Sequence, residues 1–330
     1  MDTQPYQFAK PTVVVSKCLE FEACRYNGDR VPDQTVRNLK PYVRFIPVCP
    51  EVEIGLGTPR ETIRLVTGEG DGIRLIQPST GTDLTGKMDT FAVQFLDALE
   101  GEDVDGFILK NRSPSCGIRD VKVYAGAERA PVVDRASGRF AAHILERFPG
   151  QAIEEEGRLS NFTIREHFLT KLFTMAEFRE QKQNPSMKKL VQFHSRHKYL
   201  FMAYNQTQLK EMGRVVANHE QRSIAQVWDK YGEHLGKLFA KAARYTSNIN
   251  VCEHIMGYFK KELSAKEKAY FKELLVKYQD RKIPLGNLLT LLRSWVLRFD
   301  QIYLQQQSFF EPYPEVLVEL SDSGKGRNYS

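Results

Sequence analysis

Short apolar runs alternate with amphipathic stretches over the first 150 residues. The alternation predicts strands near 12–15, 43–48, 73–76, 106–109 and 121–124, and helices near 33–40, 87–100 and 138–148. Val13-Val14-Val15 and Phe107-Ile108-Leu109 are apolar at every position, as strands covered on both faces of a parallel sheet must be. The 87–100 stretch repeats at helical spacing instead: Met88, Phe91, Ala92, Phe95, Leu96 and Leu99 form one stripe, with Asp97 and Glu100 off it. Strands and helices taking turns set the expectation of an α/β fold with a Rossmann-like, doubly wound parallel sheet. A last strand is expected at 152–154, then a turn at Gly157 and a helix capped by Ser160 or Asn161.

The pattern changes after residue 180. Gln181-Lys182-Gln183-Asn184-Pro185-Ser186 is polar and contains a helix-breaking proline, which predicts a linker over 181–187 between an α/β domain, 1–180, and an all-α helical domain, 188–310. Glycine thins out beyond it, and helices are expected near 188–203, 206–218, 220–243, 246–260, 264–279 and 285–305, the last with Pro284 at its start. Residues 321–330, rich in Gly and Ser, are expected to be a disordered tail.

A chain of 330 residues that is 42% hydrophobic can build sizeable cores, yet its apolar runs are far too short for membrane-spanning helices. With no charged-then-apolar leader, a soluble, cytoplasmic protein is the expectation. Five cysteines, an odd and low count, argue against a disulfide framework and leave thiols free for metal or catalysis. The net charge of +6 is unevenly spread: residues 1–160 carry 20 Lys+Arg against 24 Asp+Glu, residues 161–330 carry 27 against 17. A basic half beside a slightly acidic one suits a protein that holds a polyanion with one part and does chemistry with the other; ordinary solvated lysines on helices are the plainer explanation.

Three cysteines follow predicted strands: Cys18 after Val13-Val14-Val15-Ser16-Lys17, Cys49 after Phe45-Ile46-Pro47-Val48, and Cys116 in Ser113-Pro114-Ser115-Cys116-Gly117 after Phe107-Ile108-Leu109-Lys110. Ligands of open α/β sheets collect outside the carboxyl ends of the strands, so these thiols are expected to meet. Their spacing is not that of a paired zinc finger, and three soft thiolates suit zinc, copper(I) or an iron–sulfur cluster; three buried structural thiols are the bland alternative. Cys24 either replaces one ligand or stands by, and Cys252 in the helical half is expected in the core or on a helix surface.

Together these segments resemble the thiouracil desulfurase (TudS-like) family. The likeness lies in Ser16-Lys17-Cys18-Leu19 with Cys24-Arg25-Tyr26-Asn27-Gly28, Pro47-Val48-Cys49-Pro50-Glu51 continuing to Gly57-Thr58-Pro59-Arg60, and Asp105 to Lys110 with Ser113 to Gly117. Phe193-His194, His197-Lys198-Tyr199 and Leu285-Gly286-Asn287-Leu288 are similar to the YbgA-type helical domain fused to longer members. The resemblance implies a 4Fe-4S cluster held by Cys18, Cys49 and Cys116, with one iron open to a thiocarbonyl sulfur. It also implies a non-redox desulfidase that removes sulfur from 4-thiouridine in tRNA, its nucleoside or 4-thiouracil, giving uridine or uracil and hydrogen sulfide. Glu51 is the candidate for activating water or moving protons, with Glu53 as competitor and a structural pairing with Arg60 as the plainer role. Ser113 and Ser115 would orient base or water, and Lys110 would offset the charge of a thiolate-bound cluster. Arg196, His197, Lys198, Lys260 and Lys261 are the RNA-binding candidates, with tRNA the expected partner and no DNA or membrane. The pair His194 and His197 lacks an accompanying carboxylate, so packing or phosphate contact is expected there rather than metal. The reading from a different class is a non-catalytic RNA-binding protein with a structural three-cysteine zinc site.

Overall fold

The computed structural model describes residues 6–68 and 72–318, so the expected tail at 321–330 lies outside the described residues. It divides into two compact units, Phe178–Glu315 and the remainder of the chain. The division falls inside one helix, α6 (Phe162–Lys182), so residues 181 and 182 of the expected linker are helical; a break follows at Gln183 to Ser186.

Among the described residues the first unit contains nine strands: β1 (Thr12–Ser16), β2 (Arg44–Val48), β3 (Arg64–Thr67), β4 (Ile73–Gln77), β5 (Thr82–Asp83), β6 (Gly106–Leu109), β7 (Val121–Tyr124), β8 (Val132–Ala136) and β9 (Ala152–Glu155). Four make an all-parallel sheet in the order β2-β1-β6-β9. Every residue of β1 and β6 is buried, which is why those runs carry no polar alternation. The chain leaves β1 toward β2 and later returns to the other side as β6, so the order reverses between β1 and β6. The buried Asp105 carboxylate accepts the Thr12 N–H at 2.9 Å and ties the start of β1 to the entry of β6.

The other five strands form a second sheet, β5-β4-β3-β7-β8, in which only the β3–β7 pair is parallel. This corrects the expectation of one doubly wound sheet containing 73–76 and 121–124. Those runs are parts of hairpins, and β7 alternates buried and exposed residues, the signature of a sheet covered on one face. Helices α1 (Gln34–Leu39), α2 (Pro50–Glu53), α3 (Thr85–Ala98), α4 (Arg139–Arg147) and α5 (Glu156–Leu159) complete the unit before α6. Asn161, one of the two expected caps of α6, accepts the Ile164 N–H through its side chain at 3.2 Å. One apolar cluster joins Val14 and Phe107 to Leu65, Leu75 and Val123 of the second sheet and to Met88, Leu96 and Phe140 of α3 and α4. Each fully buried Phe or Leu there contributes roughly 1.5–3 kcal/mol of transfer free energy.

The second unit is all helical: α7 (Met187–Arg196), α8 (Lys198–Tyr204), α9 (Gln206–Ala217), α10 (Ile224–Leu238), α11 (Tyr245–Gly257), α12 (Ala265–Gln279), α13 (Leu285–Arg298) and α14 (Ile302–Gln305). Capping boxes at Ser223/Gln226 and Ser264/Glu267 start α10 and α12. The expected helix over 188–203 is broken at His197. There the side chain of Gln307 fills the gap, accepting from the Tyr199 N–H at 3.3 Å and donating to the Ser195 carbonyl at 2.8 Å. Phe193, Phe201, Trp228, Tyr231 and Phe239 are fully buried in this unit, and so is Cys252.

Candidate active site

Adjacent parallel strands deliver the three thiols to one edge of the sheet. Cys18 lies in the turn after β1, Cys49 directly after β2 and Cys116 in the loop after β6, with β1 in the middle. All are free and buried, at 8%, 8% and 5% exposure. They are close enough to feel one another's charge. Burial, then the neighbouring Cys49, pushes the Cys18 thiol up to about 12, and burial pushes Cys116 up as well. Cys24, 1% exposed, neighbours Cys49, whose thiol donates to the Cys24 carbonyl at 3.8 Å; the interaction between the two side chains brings Cys49 down to about 7 and drives Cys24 up. The Cys49 sulfur also lies 3.9 Å from an Arg60 nitrogen. Among the described residues, no three His, Cys, Asp or Glu side chains are grouped to hold a single metal ion.

Cys49 caps α2, with Pro50 at its first position, and the turn carries Glu51 inward while Glu53 stays exposed. The Glu51 carboxylate takes two sets of partners. One oxygen accepts from the Ser115 hydroxyl at 3.0 Å and the Ser113 hydroxyl at 3.3 Å; the other meets the Arg60 guanidinium at 2.7 and 2.9 Å. Arg60, 4% exposed in its side chain, donates in addition to the carbonyls of Cys24 and Gly57, both at 2.9 Å. Ser113 caps its own loop, its hydroxyl oxygen accepting the N–H groups of Ser115 and Cys116 at 3.2 and 3.1 Å. Gly138 packs against that loop: a Cβ there would stand 2.6 Å from the Ser115 carbonyl, so no side chain fits. Lys110 does not reach this carboxylate. Its ammonium is paired with Glu156 and with the Asn111 side chain.

A model of the 2-thiouracil desulfurase family matches residues 13–156, the segment that contains every one of these site residues up to Glu156. YbbK of Bacillus subtilis 168, an uncharacterised protein, is 33% identical over 109 residues, covering 32% of this chain and 72% of YbbK. The chain belongs to the 2-thiouracil desulfurase family. Membership in that family supports a desulfidase enzyme. Behind the desulfurase segment, residues 198–314 match a family described as a protein of unknown function, DUF1722. YbgA of Escherichia coli K12, also uncharacterised, is 25% identical over 158 residues, 47% of this chain and 93% of YbgA. Among solved structures, the [4Fe-4S]-dependent thiouracil desulfidase TudS is similar, with 27% identity, 46% of this chain and 93% of TudS covered; the TM-score of 0.36 is too low for an argument from superposition.

The RNA-binding candidates divide. Lys198, Lys260 and Lys261 are exposed and Arg196 is half-buried, whereas His197 is 1% exposed, with its ring against Phe193 and Phe201 and Nδ1 2.7 Å from the Ser308 hydroxyl. His197 is a core histidine and is not presented to a nucleic acid. Its partner His194 bonds the Tyr231 hydroxyl at 3.0 Å. Glu155, the last residue of β9, and Glu156, the first of α5, were not legible as partners of the cysteine loop. Their run of three acids, Glu154-Glu155-Glu156, after an apolar strand was the one signal available.

Proposed function

We propose that this desulfurase-family chain removes sulfur from a thiolated uracil: 4-thiouridine in tRNA, its nucleoside, or 4-thiouracil. The products would be uridine or uracil and hydrogen sulfide. The observation that carries the reading is that three neighbouring parallel strands lead into the buried Cys18, Cys49 and Cys116, with the Glu51 carboxylate, two residues after Cys49, held by Arg60, Ser113 and Ser115.

The donor set fits an iron–sulfur cluster. The thiols are free, buried and soft, and no histidine or carboxylate joins them to make a mononuclear site among the described residues. Three soft thiolates carried by neighbouring parallel strands suit such a cluster. Cys18, Cys49 and Cys116 would hold it. When bound, a 4Fe-4S group with one iron free of protein ligand supplies a Lewis acid for the thiocarbonyl sulfur.

The rest falls to the chain's own residues. Arg60 fixes the Glu51 carboxylate from one side, and the Ser113 and Ser115 hydroxyls fix it from the other. Glu51 takes a proton from water as the water oxygen bonds to the ring carbon. The C–S bond then breaks and the sulfur leaves with both of the water's protons, so water plus C=S becomes C=O plus hydrogen sulfide with no net redox change. Ser113 and Ser115, which already donate to the carboxylate, can turn to orient the base or the attacking water. The basic second half would recruit tRNA through Lys198, Lys260 and Lys261, which are exposed.

The test is sulfide release by the anaerobically reconstituted protein, given thiolated tRNA, free 4-thiouridine and 4-thiouracil in turn. Cys18→Ala, Cys49→Ala and Cys116→Ala should each lose iron and activity, while Cys252→Ala keeps both. A colourless protein that retains stoichiometric zinc and releases no sulfide overturns the reading.

A further inference from the structure

The loop that carries Ser113, Ser115 and Cys116 is fastened at both ends to two consecutive carboxylates outside it. At the far end, one Glu155 oxygen accepts the Ile118 N–H at 2.7 Å. At the near end, one Glu156 oxygen accepts the Asn111 N–H at 2.7 Å while the other pairs with the Lys110 ammonium. Both acids are buried, at 5% and 6% exposure; Glu155 is the last residue of β9, which lies next to β6 in the sheet, and Glu156 is the first residue of α5. The register pairs Leu109 with Glu155, so the strand that delivers the loop and the strand that clamps it end level. A Cβ on Gly157 would collide with the Asn111 side-chain nitrogen, which shows how closely the start of α5 approaches the loop.

Buried carboxylates are costly unless fully paired, and here each satisfies backbone N–H groups that the loop cannot satisfy for itself. We propose that Glu156 is a positioning residue of the desulfidase site: through the Asn111 N–H it sets where Cys116 and the two serines stand relative to Glu51, and Lys110 serves to hold Glu156 in register. The proposal rests on the desulfidase reading for its catalytic consequence but not for its structural one.

Glutamine tests it because it keeps one acceptor and loses the other. In Glu156→Gln the ammonium of Lys110 claims the remaining oxygen, which leaves the amide nitrogen facing the Asn111 N–H. Removing the ammonium as well, in Lys110→Met/Glu156→Gln, frees that oxygen for Asn111. The measurement is the rate of Cys116 alkylation by iodoacetamide in the cluster-free full-length chain, mapped by mass spectrometry. Cys252, 0% exposed in the second unit, and the melting temperature report any general loosening. Glu156→Gln should raise Cys116 labelling about tenfold, the loss of one charge-assisted hydrogen bond. Cys252 labelling should stay unchanged, and the double variant should return Cys116 to near the natural rate. With thiolated uracil as substrate, the same single variant should lower kcat about tenfold and leave KM within about twofold, since the loop is displaced rather than the substrate contacts. Natural labelling in Glu156→Gln, or a double variant no better than the single, overturns the clamp. Correct labelling with no sulfide release from the natural chain sinks the desulfidase reading and leaves the clamp standing.

Discussion

At the scale of single residues the site turns on one carboxylate whose side-chain neighbours agree about where it should be. Glu51 sits between the guanidinium of Arg60 and the hydroxyls of Ser113 and Ser115, and Glu53, two positions on, is exposed. Glu51→Gln preserves the shape and removes the proposed base, so kcat for sulfide release should fall by about 10²- to 10⁴-fold while iron content stays at the natural level. Unchanged turnover at full iron content would remove Glu51 from the chemistry. Arg60 matters differently, because its side chain is 4% exposed and also satisfies the Cys24 and Gly57 carbonyls. Arg60→Ala should destabilise the chain by about 3–5 kcal/mol in denaturant titration, the cost of leaving a buried charge without its partner. The sequence named Glu51, both serines and the Arg60 pairing because they lie within the same short motifs as the cysteines. It could not name Glu156 as a partner of Lys110, since the two are 46 positions apart and meet only because β6 and β9 are neighbours.

Among the elements, the strands and helices foreseen from periodicity are mostly present, and the departures have identifiable causes. β1 and β6 were legible because complete burial leaves an unbroken apolar run. The assignment of β4 and β7 to the same sheet as β1 failed because a four- or five-residue run specifies a strand and not its neighbour. The break between α7 and α8 was hidden for a similar reason: Gln307, 108 positions from Tyr199, supplies the hydrogen bonds that make the break tolerable. In α7, burial lowers His194 from 6.5 to about 4, aided by the nearby Lys198 charge. The unfolded chain therefore binds the proton first as pH falls, so the stability this neutral histidine allows is complete above 6.5 and is lost toward 4. His194→Gln should flatten that loss: between pH 7 and 4 the variant should gain on the natural chain by on the order of 1–2 kcal/mol, allowing for the ring's partial exposure, read from melts at each pH. Parallel pH profiles would place the acid sensitivity elsewhere.

For the whole molecule the informative quantity is the division of charge, with 27 Lys+Arg against 17 Asp+Glu in residues 161–330. If that excess holds a polyanion, Lys260→Ala/Lys261→Ala should weaken tRNA binding and lower the slope of log affinity against log salt by about two, roughly one for each phosphate no longer neutralised. An unchanged slope would mean that these exposed lysines are simply solvated. What the sequence determined alone was local or compositional: the α/β half followed by the helical half, the buried parallel strands, the family motifs and the three cysteines that end strands. Those features are legible because periodicity, burial of a run and short-range spacing are properties of contiguous residues. The tertiary structure alone decided that the described strands fall into two sheets, that Glu51 rather than Glu53 is held by Arg60 and the two serines, that the Cys49 thiol reaches the Cys24 carbonyl, that His197 is core, and that Glu155 and Glu156 accept backbone N–H groups at either end of the cysteine loop. Each of these is a contact between segments distant in the chain or the direction of one side chain, fixed by strand order and packing rather than by any pattern along the sequence.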